Sequence, residues 1–207
     1  GAPRVVGFIR GHGERDPEST ADAGMSGAKA ALLAEYYDVA DVRLDAPIPT
    51  GVTVLVAAGL QAAVPAAEIE RLSAWLEGGG RLLILADPGY DPGLSPIAAR
   101  WGLRVAPLKV LDGRSNLRGQ PEIPLAMRYS KHAIVRGFSA ALPLAFPLPA
   151  AVEDFEPGDP ALFHDALVSS SAEAEGLTPE GTRKQGPFTL AAAAWKNAWQ
   201  IGSRFAR

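Results

Sequence analysis

The chain has 207 residues, 23 acidic side chains against 20 Lys and Arg (a formal net charge of −3), and no cysteine. A chain of this length buries about 70% of its unfolded surface, enough to fold without disulfides. The charge balance argues against nucleic-acid binding as the main role, and the lack of cysteine excludes thiol nucleophiles and thiolate metal sites.

Short apolar segments that end in glycine and polar residues recur in the first half of the chain. Such continuous apolar strands are typical of parallel sheets that are buried on both faces. Predicted strands lie at 4–10, 39–44, 52–58, 81–86 and 103–106, with predicted helices at 25–37, 65–77 and 94–101 between them. This order predicts an α/β fold, a flavodoxin-like, doubly wound and mostly parallel sheet with the second strand outside.

The second half has more proline and only short extended segments, at 132–138, 142–152, 166–171 and 188–194. Residues 108–124 have the composition of a polar surface loop, and residues 172–186 that of a flexible excursion. We expect the extended segments to add strands to the first-half sheet. The prediction is therefore a single α/β domain over residues 4–194, made of a βα core at 4–106 and added strands and loops at 107–194, with an amphipathic tail at 195–207.

Polar residues follow the predicted central strands at the edge where open α/β sheets bind ligands. The candidate ligand-binding residues come from three such loops: His12, Gly13, Glu14, Gly59, Gln61 and Asp87. This nearly neutral set without an arginine cluster favours carbohydrate or peptide ligands over phosphates. Purely structural roles explain the same residues, since glycines permit sharp turns, His12 could bond to backbone and Asp87 could cap the next helix.

No motif in the sequence predicts a cofactor or a metal. His12-x-Glu14 is not a metal-ligand spacing, and His132 and His164 have no ligand-like neighbours. There is no G-x-G-x-x-G or Walker pattern for a nucleotide. Ser169-Ser170-Ser171 lacks the G-x-S-x-G context of a nucleophile elbow, so we interpret it as the end of a strand.

Several of these segments resemble the auxiliary, non-ATPase component of ABC-type transport systems related to the gliding-motility family, whose soluble domain is related to class I glutamine-amidotransferase-like folds. The similar segments are 5–14, 52–61, 68–88, 132–138 (with Ala133 where proline is usual) and, more loosely, 142–150 and 167–171. The resemblance implies a periplasmic domain of a membrane protein that partners ABC transporter subunits. The start at Gly1-Ala2-Pro3, without methionine, agrees with membrane segments outside this sequence.

Two functions are compatible with these observations. The first is a non-catalytic extracytoplasmic binding or interaction domain of an ABC-transporter auxiliary protein. The second is a hydrolase or lyase on a carbohydrate-like ligand, with Glu14 or Asp87 as base and His12 as acid. Amidotransferase-like enzymes carry a cysteine at the turn after a central strand, whereas Leu85-Ala86-Asp87-Pro88 has none. The sequence therefore favours the first function.

Overall fold

The computed structural model describes residues 4–88, 93–155 and 159–196. They divide into two compact units, one formed by residues up to 86 with 93–94, and the other by 87–88 and the residues from 95 onward. Strands account for 40% of the structure and helices for 16%, with several antiparallel sheets. The predicted doubly wound, flavodoxin-like or amidotransferase-like α/β fold is therefore wrong, and the chain is mostly β.

The first unit contains a four-stranded parallel sheet in the order β2-β1-β3-β4. Its elements in chain order are β1 (Arg4–Arg10), α1 (Ser26–Ala34), β2 (Tyr37–Arg43), β3 (Val52–Ala58), α2 (Ala66–Glu77) and β4 (Arg81–Leu85). Side chains of both parities are buried along β1 and β3, so both faces of the sheet centre are covered. The continuous apolar pattern of these two strands reflects this double burial.

Close packing at the sheet centre depends on a glycine in β1. A Cβ at Gly7 would lie 2.6 Å from the Val42 side chain of β2 and 2.9 Å from the Leu55 side chain of β3. The missing side chain lets residues of both neighbouring strands close over β1. Helix α2 buries Ile69 and Leu72 on one face, as its i, i+3 spacing predicts.

The second unit is built from antiparallel strands. Its elements are α3 (Ser95–Arg100), β5 (Leu103–Leu111), β6 (Asn116–Leu117), β7 (Gln120–Pro124), β8 (Arg128–Tyr129), a 3-10 helix (Ala133–Val135), β9 (Ala150–Asp154), β10 (Leu162–Ser169), β11 (Glu175–Leu177), β12 (Arg183–Gln185) and β13 (Thr189–Lys196). The sheet orders are β12-β11-β5-β9, β13-β10-β8 and β6-β7.

These pairings correct the reading of the second half of the sequence. Among the described residues, its strands form sheets of their own and do not extend the parallel sheet of the first unit. The stretch 108–124, expected to be a surface loop, includes the end of β5 and the β6–β7 pair, and the expected excursion at 172–186 holds β11 and β12. The predicted tail begins within β13, and the rest of it lies outside the described residues. In the described ranges, no helix has the length and apolarity needed to span a bilayer.

Asp112, at the end of β5, is the centre of a buried polar cluster in the second unit. Its side chain is fully buried and accepts hydrogen bonds from the backbone N–H groups of Arg114 (3.0 Å) and Ser115 (2.8 Å). The backbone N–H and the hydroxyl of Ser171 complete the set, at 2.9 and 2.8 Å. The cluster therefore ties the turn after β5 to the segment after β10. Strand β10 ends at Ser169, two residues before the predicted end at Ser171.

Candidate functional site

The loop after β1 is held against the loop after β3. The backbone N–H groups of Gln61 and Ala62 donate to the His12 carbonyl oxygen at 2.8 and 2.9 Å. Gly13 has φ +75°, and a Cβ there would lie 2.9 Å from the Gln61 Cβ. The Gln61 side-chain amide donates to the Gly59 carbonyl at 2.9 Å. The predicted site residues on these two loops are thus brought together.

The His12 imidazole lies between two carboxylates. Its Nδ1 is 3.0 Å from Glu14 Oε1, and its Nε2 is 3.1 Å from Glu68 Oε2 in the first turn of α2. Glu14 Oε2 also accepts the His12 backbone N–H at 2.8 Å. His12 is largely buried, with 7% of its surface exposed.

The two carboxylates hold His12 in different ways. The Glu14 carboxylate accepts a backbone and a ring N–H through its two oxygens, which fixes the loop conformation. The buried Glu68 Oε2 lies within ion-pair distance of the ring but accepts no hydrogen bond of acceptable geometry from the described residues. The contact between His12 and Glu68 is therefore a close approach without an aligned hydrogen bond.

A cleft of about 270 Å³ lies beside this cluster, over the carboxyl ends of β1 and β2. It is lined by Arg10, Gly11, His12, Arg43, Leu44, Asp45, Ala62, Ala63, Pro65 and Glu68. Of the predicted ligand-binding residues, only His12 lines it. Asp87 follows β4 and is assigned to the second compact unit, whereas the other predicted residues are assigned to the first.

An exposed ion pair forms one side of the cleft. Arg43 Nε and Nη2 donate to Asp45 Oδ2 at 3.0 and 2.8 Å. The hydrogen bond from Arg43 lowers the pKa of Asp45 below its usual value, and the same bond with the charge of Asp45 raises the pKa of Arg43. Arg10 contributes a second guanidinium, with Nη1 3.3 Å from Asp16 Oδ1.

The arrangement limits the chemistry that the site can perform. A histidine acts as general acid or base through a ring nitrogen that reaches the substrate. Here both ring nitrogens face protein carboxylates. Within the described ranges, no group of three or more acidic or histidine side chains is arranged to hold a metal ion. The accessible polar groups at the cleft are guanidinium and carboxylate groups, which suit recognition of a polar ligand.

Sequence reasoning missed Glu68, which completes the buried cluster. An acidic residue in the first turn of a helix is commonly explained by the helix dipole alone. The available signal was its position: the helix follows a central strand, and the first turns of such helices lie at the ligand-binding edge of a parallel sheet.

Comparisons with known proteins agree with the sequence resemblance. The family described as "ABC-type uncharacterized transport system" matches residues 3–179. No curated protein gives a significant match. Among solved structures, the mmIFT52 N-terminal domain has a TM-score of 0.64 at 18% identity, covering 82% of this chain and 74% of that one. A ThuA-like protein from Bacteroides uniformis has a TM-score of 0.53 at 12% identity, covering 93% and 78%. At these identities, the two structures are evidence of fold alone.

Proposed function

Because this chain belongs to the ABC-type uncharacterized transport system family, we propose that it is a non-catalytic extracytoplasmic domain of an ABC-transporter auxiliary protein. Its role is to bind a transporter subunit or a carbohydrate or peptide ligand at the cleft beside His12. Association with an ABC transport system follows from the family. The location outside the cytoplasm and the use of this cleft are the parts that we propose.

The observation that carries the proposal is the double engagement of the His12 ring. A group that must exchange protons with a substrate needs an accessible nitrogen, whereas this imidazole is buried and both of its nitrogens face protein carboxylates. The cluster therefore supports the cleft wall rather than acting on a substrate. The same observation disfavours the hydrolase or lyase alternative, in which His12 was the acid.

The size and charge of the cleft support a small polar ligand. A volume of about 270 Å³ is near the lower end of small-molecule pockets, which start at about 300 Å³. It has room for one sugar ring or one or two peptide side chains. Arg43 and Asp45 are already paired with each other, so a ligand with both donors and acceptors fits better than a multiply charged anion.

Site-specific photo-cross-linking in cells that carry the whole transport system tests the proposal. A photoreactive amino acid at Ala63, an exposed residue that lines the cleft, is expected to capture a transporter subunit or a bound ligand. The matched control replaces Ala30, an exposed alanine on α1. Equal capture from both positions, or none from Ala63, would contradict the proposed use of the cleft.

A further inference from the structure

A segment without acidic residues stands out in the second unit. No Asp or Glu occurs from Ile123 to Val152, although the chain as a whole has a net charge of −3. The same segment contains the basic residues Arg128, Lys131 and Arg136. Lys131 and Arg136 are exposed, and neither forms an ion pair with a described residue. We call this stretch the acid-free segment.

Large apolar side chains project from the acid-free segment into solvent. Ile134 is 63% exposed and Leu142 is 61% exposed, the highest values among the exposed large aliphatic residues of the described chain. The segment also exposes Met127, Phe138 and Leu148. Exposed large apolar side chains at neighbouring places in the chain are typical of surfaces that contact a partner or a membrane.

The exposure of these side chains follows from a well-anchored backbone. Val135, next to Ile134, is buried in a cluster with Leu167 and Val168 of β10. The Leu144 backbone N–H donates to the Tyr129 hydroxyl at 2.8 Å. The segment is thus fixed on its inner side, and Ile134 and Leu142 are held outward.

Aromatic residues of the adjoining sheet continue the surface. Phe163 and Trp195 are cross-strand partners on β10 and β13, both exposed, with ring centroids 6.0 Å apart. The Trp195 ring lies 5.3 Å from the His132 ring, which joins this pair to the acid-free segment.

We propose that the acid-free segment, with Phe163 and Trp195, is a docking surface for an anionic lipid bilayer. Exposed aliphatic, aromatic and basic side chains together are the composition of membrane-interface elements. Ile134 lies on a 3-10 helix and Leu142 closes a turn with Ser139. Apolar side chains that project from turns can insert among the headgroups, while Lys131 and Arg136 face the anionic lipid surface. The surface is in the second unit and is independent of the cleft beside His12.

Vesicle co-sedimentation of the 207-residue chain tests the proposal. Binding is expected to vesicles of phosphatidylcholine with phosphatidylglycerol, to weaken with added salt, and to be much weaker with phosphatidylcholine alone. The double variant Lys131→Glu/Arg136→Glu should lower the partition coefficient at least tenfold, since each basic residue near an anionic surface contributes about fivefold. The double variant Ile134→Ser/Leu142→Ser should lower it about tenfold through lost apolar insertion.

Matched controls separate this surface from general effects of charge and hydrophobicity. Arg81→Glu/Lys184→Glu makes the same charge change at exposed positions elsewhere, and Leu33→Ser removes an apolar side chain that is 49% exposed on α1. Both should bind like the wild type, and circular dichroism should show that all variants are folded. Loss of binding in the controls equal to that in the surface variants, or no binding to anionic vesicles, would overturn the proposal. Cross-linking of Ile134 to a protein without vesicle binding would assign the surface to a protein partner instead.

Discussion

Two buried polar clusters in the described part of the chain differ in how completely their polar atoms are hydrogen-bonded. In the second unit, the Asp112 carboxylate accepts four hydrogen bonds from groups of the chain itself. In the first unit, His12 lies between two carboxylates, and the buried Glu68 Oε2 accepts no aligned hydrogen bond from the described residues. A cluster in which the carboxylate has all of its hydrogen bonds stabilises the fold. A carboxylate oxygen without an aligned hydrogen bond, beside a cleft, can still accept one.

The difference also follows from where the clusters lie. Asp112 does not line the cleft beside His12, and it bridges two irregular segments whose backbone N–H groups need acceptors. His12 and Glu68 line the cleft at the carboxyl ends of β1 and β2. Burial of a charge is tolerated when hydrogen bonds replace water, and it is costly when they do not. The predictions below test this contrast.

The largest effect is expected for Asp112→Ala. The substitution leaves three backbone N–H groups and the Ser171 hydroxyl without their acceptor in the interior. Since each unsatisfied buried donor costs about 1–3 kcal/mol, the free energy of unfolding should fall by about 4 kcal/mol or more. Urea denaturation followed by circular dichroism measures this loss.

Glu173→Ala is the control for Asp112→Ala, because Glu173 is an exposed acidic residue of the same unit. It should change the free energy of unfolding by less than about 0.5 kcal/mol. If Asp112→Ala costs no more than this control, the Asp112 cluster does not stabilise the fold and the comparison fails.

His12→Ala should lower the free energy of unfolding by about 3 kcal/mol. The reason is that the buried Glu14 loses its ring hydrogen-bond partner, at a cost of about 1–3 kcal/mol, and that the space of the buried imidazole is left empty. Urea denaturation measures the loss. Adding Glu14→Gln and Glu68→Gln to His12→Ala should recover part of it, and a triple variant that is weaker still would show that packing of the ring, not charge, sets the cost.

The prediction for the two glutamates separates their roles within the cluster. Glu14→Gln should cost about 1–2 kcal/mol, because the Glu14 carboxylate accepts two hydrogen bonds from His12 and an amide can accept only one of them. Glu68→Gln should cost less than about 1 kcal/mol, since its oxygen has no aligned hydrogen bond to lose. The reverse order of the two losses in urea denaturation would contradict our reading of the contact between His12 and Glu68.

The sequence identifies local features of both regions but not the contacts that define the clusters. Strands β1 and β3 are predicted because both of their faces are buried in the sheet. A strand buried on both faces has apolar residues at successive positions, and the sequence shows this run in each of them. The antiparallel pairing of β5 with β9 and β11 joins residues far apart in the chain, which no local pattern encodes, so the fold class was wrong.

Asp112 lies in a run of turn-forming polar residues and therefore has the pattern of a surface position. His12 and Glu14 lie two residues apart in one loop, so the sequence predicts that they are close, whereas Glu68 reaches them only through the packing of α2.

The smallest effect is expected at the exposed pair of the cleft, and it depends on pH. Hydrogen bonding to Arg43 lowers the pKa of Asp45 in the folded chain relative to the unfolded one. The pair therefore stabilises the fold above the unfolded pKa of Asp45, at about 3.9, and this contribution disappears as the pH falls through the lower folded value. Asp45→Asn should thus lower the urea midpoint slightly at neutral pH, and the difference from the wild type should vanish in acid.

High salt at neutral pH should also reduce the difference in urea midpoint between Asp45→Asn and the wild type, because both side chains of the pair are exposed. A difference that persists in acid would mean that Asp45 stabilises the cleft through contacts that an amide cannot replace and not through its charge, so that the cleft rim would resemble the Asp112 cluster more than a solvated ion pair.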